Sequence, residues 1–383
     1  MTENGSTSRC SRLRLAWVEE WMSMLAAEVL PYLAQRHEIT YVTAGDEIPK
    51  ADFARVIRGK RWRYINVAGF ELSERVNRLY REGSIDMALV WASIGFGLRG
   101  VPFINFEGTS VYAEIGLFAS MTPVHKRIKY LTGLAHFALP EMLCNRRAAR
   151  VVAPSQALKN DIMRLHNLTD NTVAVVPHGV EAKHLALFDK KPPGLPPAIL
   201  FVGRLHFRKG IAALLKEFVK RRDIDAEFFI AGDGPDRLEM EQQVTGDPRV
   251  KILGNVARTE LESLLTNTNV FVFPTYYEGF GLALTEAMAS GHACVCYDIP
   301  IVREVLSDTG VLVPPGKAAA LIEQVARLVR NPERIAAYSA LAHNAAARFS
   351  WDDARETIDL IIRDAAATVE TQSLKDRQLK SVA

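Results

Sequence analysis

Pro274-Thr-Tyr-Tyr-Glu-Gly-Phe-Gly-Leu-Ala-Leu-Thr-Glu-Ala-Met-Ala-Ser-Gly291 follows the apolar run Val270–Phe273, turns through two glycines and opens into an Ala- and Leu-rich helical pattern. The reading is strand, tight turn, helix, the unit from which parallel α/β sheets are built. Gly279 and Gly281 allow backbone N–H groups to approach a ligand without side-chain obstruction. The helix they introduce begins with unpaired N–H groups and a positive dipole end, which suits a diphosphate. Glu278 stands at the mouth of the turn. Glu286 lies about five residues into the helix, roughly 7–8 Å from its start at about 1.5 Å per residue. One carboxylate can thus address a sugar while the other hydrogen-bonds a ribose hydroxyl. The bland alternative is a solvated loop acid and an exposed helix acid.

Outward from this segment, short β-rich apolar runs alternate with helical patterns along the chain. The pattern predicts strands at Leu13–Val18, Glu38–Thr43, Tyr64–Val67, Asp86–Trp91, Pro102–Phe106, Arg150–Ala153 and Val173–Val176. A second series is predicted at Ala198–Val202, Glu227–Ala231, Val250–Leu253, Val270–Phe273, Ala293–Tyr297 and Val311–Val313. Between them Lys190-Lys-Pro-Pro-Gly-Leu-Pro-Pro197 suits no regular element and reads as a linker. The expected fold class is α/β, two Rossmann-like lobes whose parallel sheets face a cleft, with the ligand outside the carboxyl ends of the strands. The expected domains are residues 1–189, a linker at 190–197, a donor domain at 198–350, and a C-terminal helix and tail at 351–383. That last helix carries Ile358, Leu360, Ile361 and Ile362; its spacing leaves open whether it closes the second lobe or packs back on the first.

Two further turns follow strands of the second series. In Phe201-Val-Gly-Arg-Leu-His-Phe-Arg-Lys-Gly210, Arg204 and Lys209 stand where two cations can neutralise a leaving diphosphate. Ala231-Gly-Asp-Gly-Pro235 offers a Gly-x-Gly turn, which either binds a ligand or only shapes the strand-to-helix connection. Taken in order, Gly203-Arg204…Lys209-Gly210, Gly232-Asp-Gly-Pro235 and Glu278-Gly-Phe-Gly…Glu286 resemble the C-terminal domain of family 4 retaining glycosyltransferases, which have the GT-B fold. The resemblance covers about residues 150–350. It implies that Arg204 and Lys209 bind the diphosphate, that Glu278 lies near the transferred sugar, that the amides of Phe280, Gly281 and Leu282 hold phosphate, and that Glu286 binds ribose. Gly203, Gly232, Gly234 and Gly279 complete the implied donor site. It implies no cofactor beyond a nucleoside-diphosphate sugar as co-substrate.

The N-terminal half departs from that family. Its members follow the first strand with a glycine pair, where this chain has Val18-Glu-Glu-Trp21. They commonly carry a histidine after a strand of the Pro102–Phe106 type, where this chain has Glu107. A carboxylate there either accepts a hydrogen bond from an acceptor hydroxyl or caps a following turn. His178, in Pro177-His-Gly-Val180, replaces the usual asparagine.

The 383 residues carry a net charge of +3, with 48% hydrophobic and 24% charged residues, so nothing global points to nucleic acid. Four cysteines in this length are no disulfide framework. Cys294 and Cys296 read as small core residues on one face of a strand, and no second ligand pair suggests zinc. Asp223 and Asp225 precede a strand, at the sheet edge away from the expected cleft, so no metal is expected. Glu19 and Glu20 interrupt the first apolar stretch, no run spans a bilayer, and Met1–Ser11 is polar; the expectation is a cytoplasmic protein with a disordered start. The basic residues Lys126, Arg127, Lys129, Arg146, Arg147 and Arg150 flank Tyr130–Leu139, which reads as a core helix or as a peripheral contact with anionic membrane.

The expected function is retaining transfer of a sugar to a hydroxyl of a sugar, lipid-linked or small-molecule acceptor. A nucleotide-sugar epimerase on a similar scaffold and a catalytically silent nucleotide-sugar binder are the alternatives.

Overall fold

The computed structural model describes residues 12–20, 22–60, 65–121 and 134–382. The first sheet contains β1 (Arg14–Glu19), β2 (Glu38–Thr43), β3 (Arg55–Arg58), β4 (Met87–Trp91), β5 (Phe103–Phe106), β6 (Arg150–Ala153) and β7 (Val173–Val175). Its order is β3-β2-β1-β4-β5-β6-β7, with all pairings parallel. The second contains β8 (Ala198–Val202), β9 (Glu227–Ala231), β10 (Val250–Gly254), β11 (Val270–Phe273), β12 (Ala293–Tyr297) and β13 (Val311–Val313). It runs β10-β9-β8-β11-β12-β13, again parallel throughout.

The second sheet shows why these residues make strands buried on both faces. Val270 and Val272 join one apolar cluster with Ala293, Val295 and Tyr297. Phe271 and Phe273 join the opposite cluster with Cys294 and Cys296. That two-residue alternation, apolar on both sides, is the pattern of a parallel sheet covered by helices. Each fully buried Phe, Leu or Val contributes about 1.5–3 kcal/mol relative to exposure. The two cysteines are free and buried, as small core residues.

Contacts divide the chain into two units. One holds the chain up to Ala153, Ile162–Val176 and Asp353 onward; the other holds Pro154–Asp161 and Pro177–Asp352. Pro154–Asp161 and residues 177–189, which the sequence reading groups with the first half, therefore belong with the second. The Pro- and Gly-rich stretch is fastened to that second unit. Lys191 Nζ donates to Leu265 O at 2.8 Å and also to Thr268 O, and Asn269 Nδ2 donates to Leu195 O and Pro196 O at 3.2 and 3.3 Å.

From Asp353 on, the long helix Trp351–Val382 packs with the first unit. His37 Nε2 donates to Asp359 Oδ1 at 2.6 Å, and Arg355 donates to Glu28 O and Glu28 Oε2 at 2.8 and 2.7 Å. Ile358 and Ile362 are buried while Leu360 is exposed, as a helical stripe requires.

The predicted strand Tyr64–Val67 is corrected: Tyr64 lies outside the described residues, and Ile65 opens the helix Ile65–Arg81. Leu72, Val76 and Leu79 recur on one buried face at helical spacing, so the local β-rich run yields to a longer amphipathic pattern. The third strand is instead Arg55–Arg58 at the sheet edge, where Arg55, Val56 and Arg58 are exposed and leave little apolar signal.

Lys126, Arg127, Lys129 and residues 130–133 of the expected membrane-contact segment lie outside the described residues, as does Met1–Ser11. Arg146 donates to His166 O at 2.8 Å, Arg147 to Phe96 O at 3.0 Å and to Leu98 O, and Arg150 to Asp364 at 2.7 Å, so these three arginines hold the first unit together. No helix among the described residues is long and apolar enough to cross a membrane.

Candidate functional site

In the second sheet, β9 and β10 lie to one side of β8 while β11, β12 and β13 lie to the other. The order thus reverses between β8 and β11. A crevice opens at such a switch point, at the carboxyl ends of the strands. The loops following those two strands are the ones the sequence singles out, Gly203–Gly210 and Pro274–Gly281. Tyr276 N donates to Arg208 O at 2.9 Å, tying the loops together.

Lys209 Nζ donates to Glu278 Oε1 across this junction, and both side chains are largely buried. Thr275 Oγ1 lies 3.2 Å from the same carboxylate oxygen, within donating distance. Neither Thr275 nor the direct Lys209–Glu278 pair is marked by the spacing of the motifs. Arg204 is exposed and makes no ion pair among the described residues. Its guanidinium remains available to an incoming anion.

The turn itself is set by backbone constraints. Gly281 has φ +91° and caps the helix Leu282–Ala289, so its left-handed conformation disfavours a side chain there. Leu284 N and Thr285 N both donate to Gly281 O, at 2.9 and 3.1 Å, which closes the first helical turn. Among the described residues no acceptor takes the amides of Gly279, Phe280 or Gly281. The amides of Leu282 and Ala283 lack intrahelical partners by their position. The Phe280 ring is buried, edge-on to Phe349 at 5.4 Å and tilted against His178 at 5.3 Å. This packing anchors the turn from its inner side.

The other glycines serve differently. Gly203 N donates to Ala231 O at 3.0 Å, Gly232 N to Gly254 O at 2.7 Å, and Gly234 N to Asp233 Oδ1 at 2.7 Å. With their amides taken by protein acceptors, these three glycines shape the loops around Arg204 and Asp233. Leu205 N donates to Asp233 O at 2.9 Å, fastening the two loops together.

Glu286 sits on the fifth position of its helix and is half-buried. Burial raises its carboxyl to about 7, opposed by the charges of Arg258 and Lys183 and reinforced by Glu181. Arg258 pairs with Glu181, and Lys183 bridges Glu181 and Glu262 at 3.3 and 3.1 Å, so a charged cluster lies near this carboxyl. His178 is buried between Phe280 and Trp351, and its Nδ1 has no partner among the described residues. Burial lowers its imidazole to about 4, so the ring is neutral near pH 7.

Ser155 is a contact that sequence reasoning misses. It caps the helix Gln156–His166, a role a serine before a helix advertises, yet its hydroxyl also donates to Gly279 O at 2.7 Å. A partner 124 positions away leaves no trace in local spacing.

Glu107 belongs to the first unit. It is 2% exposed, and its Oε1 accepts from Asn105 Nδ2 at 2.9 Å and Asn145 Nδ2 at 2.8 Å. Burial and the neighbouring Glu141 push its carboxyl well above the ordinary carboxylate range. A carboxyl group so enclosed braces the end of β5 and presents no open face to an acceptor. Glu19, at the end of β1, is likewise buried, accepting from Tyr41 Oη at 2.7 Å and Ser23 N at 3.2 Å.

Asp223 of the expected non-metal pair is held by Arg221 and Arg330. Among the described residues no group of three or more His, Cys, Asp or Glu side chains is placed to hold a metal.

Comparison with known proteins bears on the family and the fold. Residues 196–331 match the family described as Glycosyl transferases group 1, and residues 22–184 match Glycosyltransferase Family 4. An alpha-D-kanosaminyltransferase of Streptomyces kanamyceticus is 31% identical over 144 residues, 36% of this chain and 37% of that protein. A phosphatidyl-myo-inositol mannosyltransferase of Mycobacterium leprae is 32% identical over 185 residues, 46% of this chain and 49% of the relative. The chain thus spans less than half the length of these curated relatives. Among solved structures, a sucrose-phosphate synthase of Thermosynechococcus elongatus superposes with a TM-score of 0.74 at 18% identity, covering 93% of this chain and all of that one. Anabaena HepE, solved in complex with UDP and glucose, gives 0.71 at 17% identity over 92% of this chain and all of that one. These likenesses establish the fold as GT-B, two α/β units each built on a parallel sheet.

Proposed function

The chain belongs to the family 4, group 1 glycosyltransferases, and from that premise we propose that it moves a sugar from a nucleoside diphosphate to an acceptor hydroxyl with retention of configuration. The observation that carries this reading is the pairing of Lys209 with Glu278 beside a helix start whose amides have no acceptor among the described residues.

Each group then has a role set by its chemistry. The amides of Phe280, Gly281 and Leu282, with the positive end of the helix dipole, receive diphosphate oxygens. Arg204 adds a planar fork of donors suited to phosphate. Lys209 is shared between Glu278 and the departing diphosphate, so negative charge developing on the leaving oxygen meets a cation already in place. Glu278 orients the sugar hydroxyls and is not a nucleophile. The leaving phosphate itself takes the acceptor proton on the same face, and no metal takes part. Glu286 hydrogen-bonds the ribose; near neutral pH it can either donate or accept, since burial brings its carboxyl to about 7.

UDP, named in the HepE complex, is the first donor base to test, followed by GDP. The experiment is release of nucleotide from a panel of UDP- and GDP-sugars by purified protein, with soluble and lipid-linked sugar acceptors and anomeric analysis of the product by NMR. Transfer with an α-linked product from an α-configured donor supports the reading. Tight donor binding without turnover on any acceptor, or sugar isomerisation without acceptor, contradicts it.

A further inference from the structure

We propose that Ser155 is a positioning residue for the diphosphate-binding turn, its hydroxyl fixing the Gly279–Phe280 peptide so that the Phe280 N–H faces the ligand. The inference rests on the donor-site reading above.

Ser155 is fully buried. Its single hydroxyl proton goes to Gly279 O at 2.7 Å, and its oxygen accepts from Leu158 N at 3.1 Å. The start of the helix Gln156–His166 has a second support. Gln156 N and Ala157 N donate to the two carboxylate oxygens of Glu304, at 2.8 and 2.9 Å. Capping that helix therefore requires only the acceptor side of Ser155. The donor side serves the turn.

In a planar trans peptide the carbonyl oxygen and the following N–H point in opposite directions. Holding Gly279 O on the inner side thus turns the Phe280 N–H outward, where no acceptor among the described residues meets it. Glycine at 279 removes the steric resistance that another residue gives to rotation of this plane. A flipped peptide presents a carbonyl oxygen to the anion in place of a donor. The Phe280 ring, packed on His178 and Phe349, fixes the far side of the same residue. Ring and carbonyl anchors together leave one orientation for the amide.

The test measures binding of UDP and of GDP by calorimetry, donor KM and kcat, and the ligand-free Tm, in the wild type and four variants. Ser155→Ala weakens nucleoside-diphosphate binding and raises donor KM about five- to tenfold, as the loss of one oriented donor to an anion predicts. Ser155→Thr restores binding toward wild type. Ser155→Asp keeps an acceptor for the helix cap but cannot donate to Gly279 O, so it binds as weakly as Ser155→Ala in a folded protein. Glu304→Ala loosens the same helix start and lowers Tm, yet leaves the dissociation constant within about twofold. Unaltered binding in Ser155→Ala, or equal weakening in Ser155→Ala and Glu304→Ala, overturns this inference while the donor-site reading stands. A wild-type protein that binds neither nucleotide overturns that reading and this inference with it.

Discussion

Lys209 and Glu278 are 69 positions apart in the chain, yet the ammonium of one donates to the carboxylate of the other across the junction of the β8 and β11 loops. Both side chains are about 14% exposed or less, so solvent screens the pair weakly. Sequence motifs assign the two residues separate duties. The structure makes them one unit, a cation held in place by a carboxylate.

On the proposed function, removing the carboxylate frees that cation and leaves the sugar without its orienting acceptor. Glu278→Ala is therefore expected to lower kcat/KM by about 100-fold or more, with a smaller change in donor affinity. Lys209→Met is expected to act mainly on donor KM and on the rate of nucleotide departure. Initial-rate measurements over a donor concentration series check both, and turnover within threefold of wild type in Glu278→Ala rules the assignment out.

Gly210 closes the β8 loop with φ +68°, and a Cβ built on it would lie 2.0 Å from Pro274 O in the β11 loop. Gly210→Ala is expected to cost about 2–4 kcal/mol, since backbone strain and a backbone clash coincide. Gly246 also has positive φ, +82°, but nothing lies within 4 Å of its built Cβ. Gly246→Ala is expected to cost only about 1 kcal/mol. Urea denaturation of the two variants separates strain from clash; equal losses would remove the close approach as the reason for glycine at 210.

Burial raises the Glu286 carboxyl to about 7. Its unfolded value is near the ordinary 4.5, so between these pH values the folded state binds the extra proton. Stability consequently falls as pH rises through that window, and the whole cost, on the order of 3 kcal/mol, is present above it. Glu286→Gln, uncharged at every pH, should raise Tm relative to wild type at pH 8 and change it little at pH 5. Parallel melting curves across this range would show that the carboxyl is not held protonated by burial.

Glu107 is expected to matter to the fold more than to the chemistry. Glu107→Gln preserves an acceptor for Asn105 and Asn145, and should keep both stability and kcat close to wild type. Glu107→Leu leaves two buried amide donors facing an apolar group and is expected to cost about 2–4 kcal/mol. Thermal melts with parallel rate measurements distinguish this from an acceptor-site role, which predicts lost kcat in the stable Gln variant.

Much of this was legible because parallel strands buried on both faces announce themselves as continuous apolar runs. The Val270–Phe273 and Ala293–Tyr297 strands are cases where composition alone suffices. Arg55–Arg58 escaped because an exposed edge strand carries no such run, and Tyr64–Val67 misled because Tyr64, Ile65 and Val67 are β-prone and outweigh a helical period only in a short window. The placement of Glu278, Gly279 and Gly281 in a turn and of Glu286 on the helix that follows was readable because a turn into a helix constrains residue types locally. Gly232 and Gly234 were open between ligand contact and turn shaping; the amides of Gly203 and Gly232 bond to Ala231 O and Gly254 O, a matter of tertiary pairing, and that of Gly234 bonds to the adjacent Asp233 side chain. Ser155 and Thr275 act through bonds that no spacing rule encodes. The fate of Glu107 depended on two asparagines, one of them 38 positions away.

On the proposed function, the amides at the Phe280 turn grip a diphosphate. Hydrogen–deuterium exchange of peptides spanning residues 276–288, with and without saturating UDP or GDP, addresses it most directly. Slowed exchange is expected at Phe280, Gly281 and Leu282 on nucleotide binding, and no slowing at Gly232 or Gly234. Nucleotide binding that leaves the 280–282 amides exchanging at the ligand-free rate would contradict it.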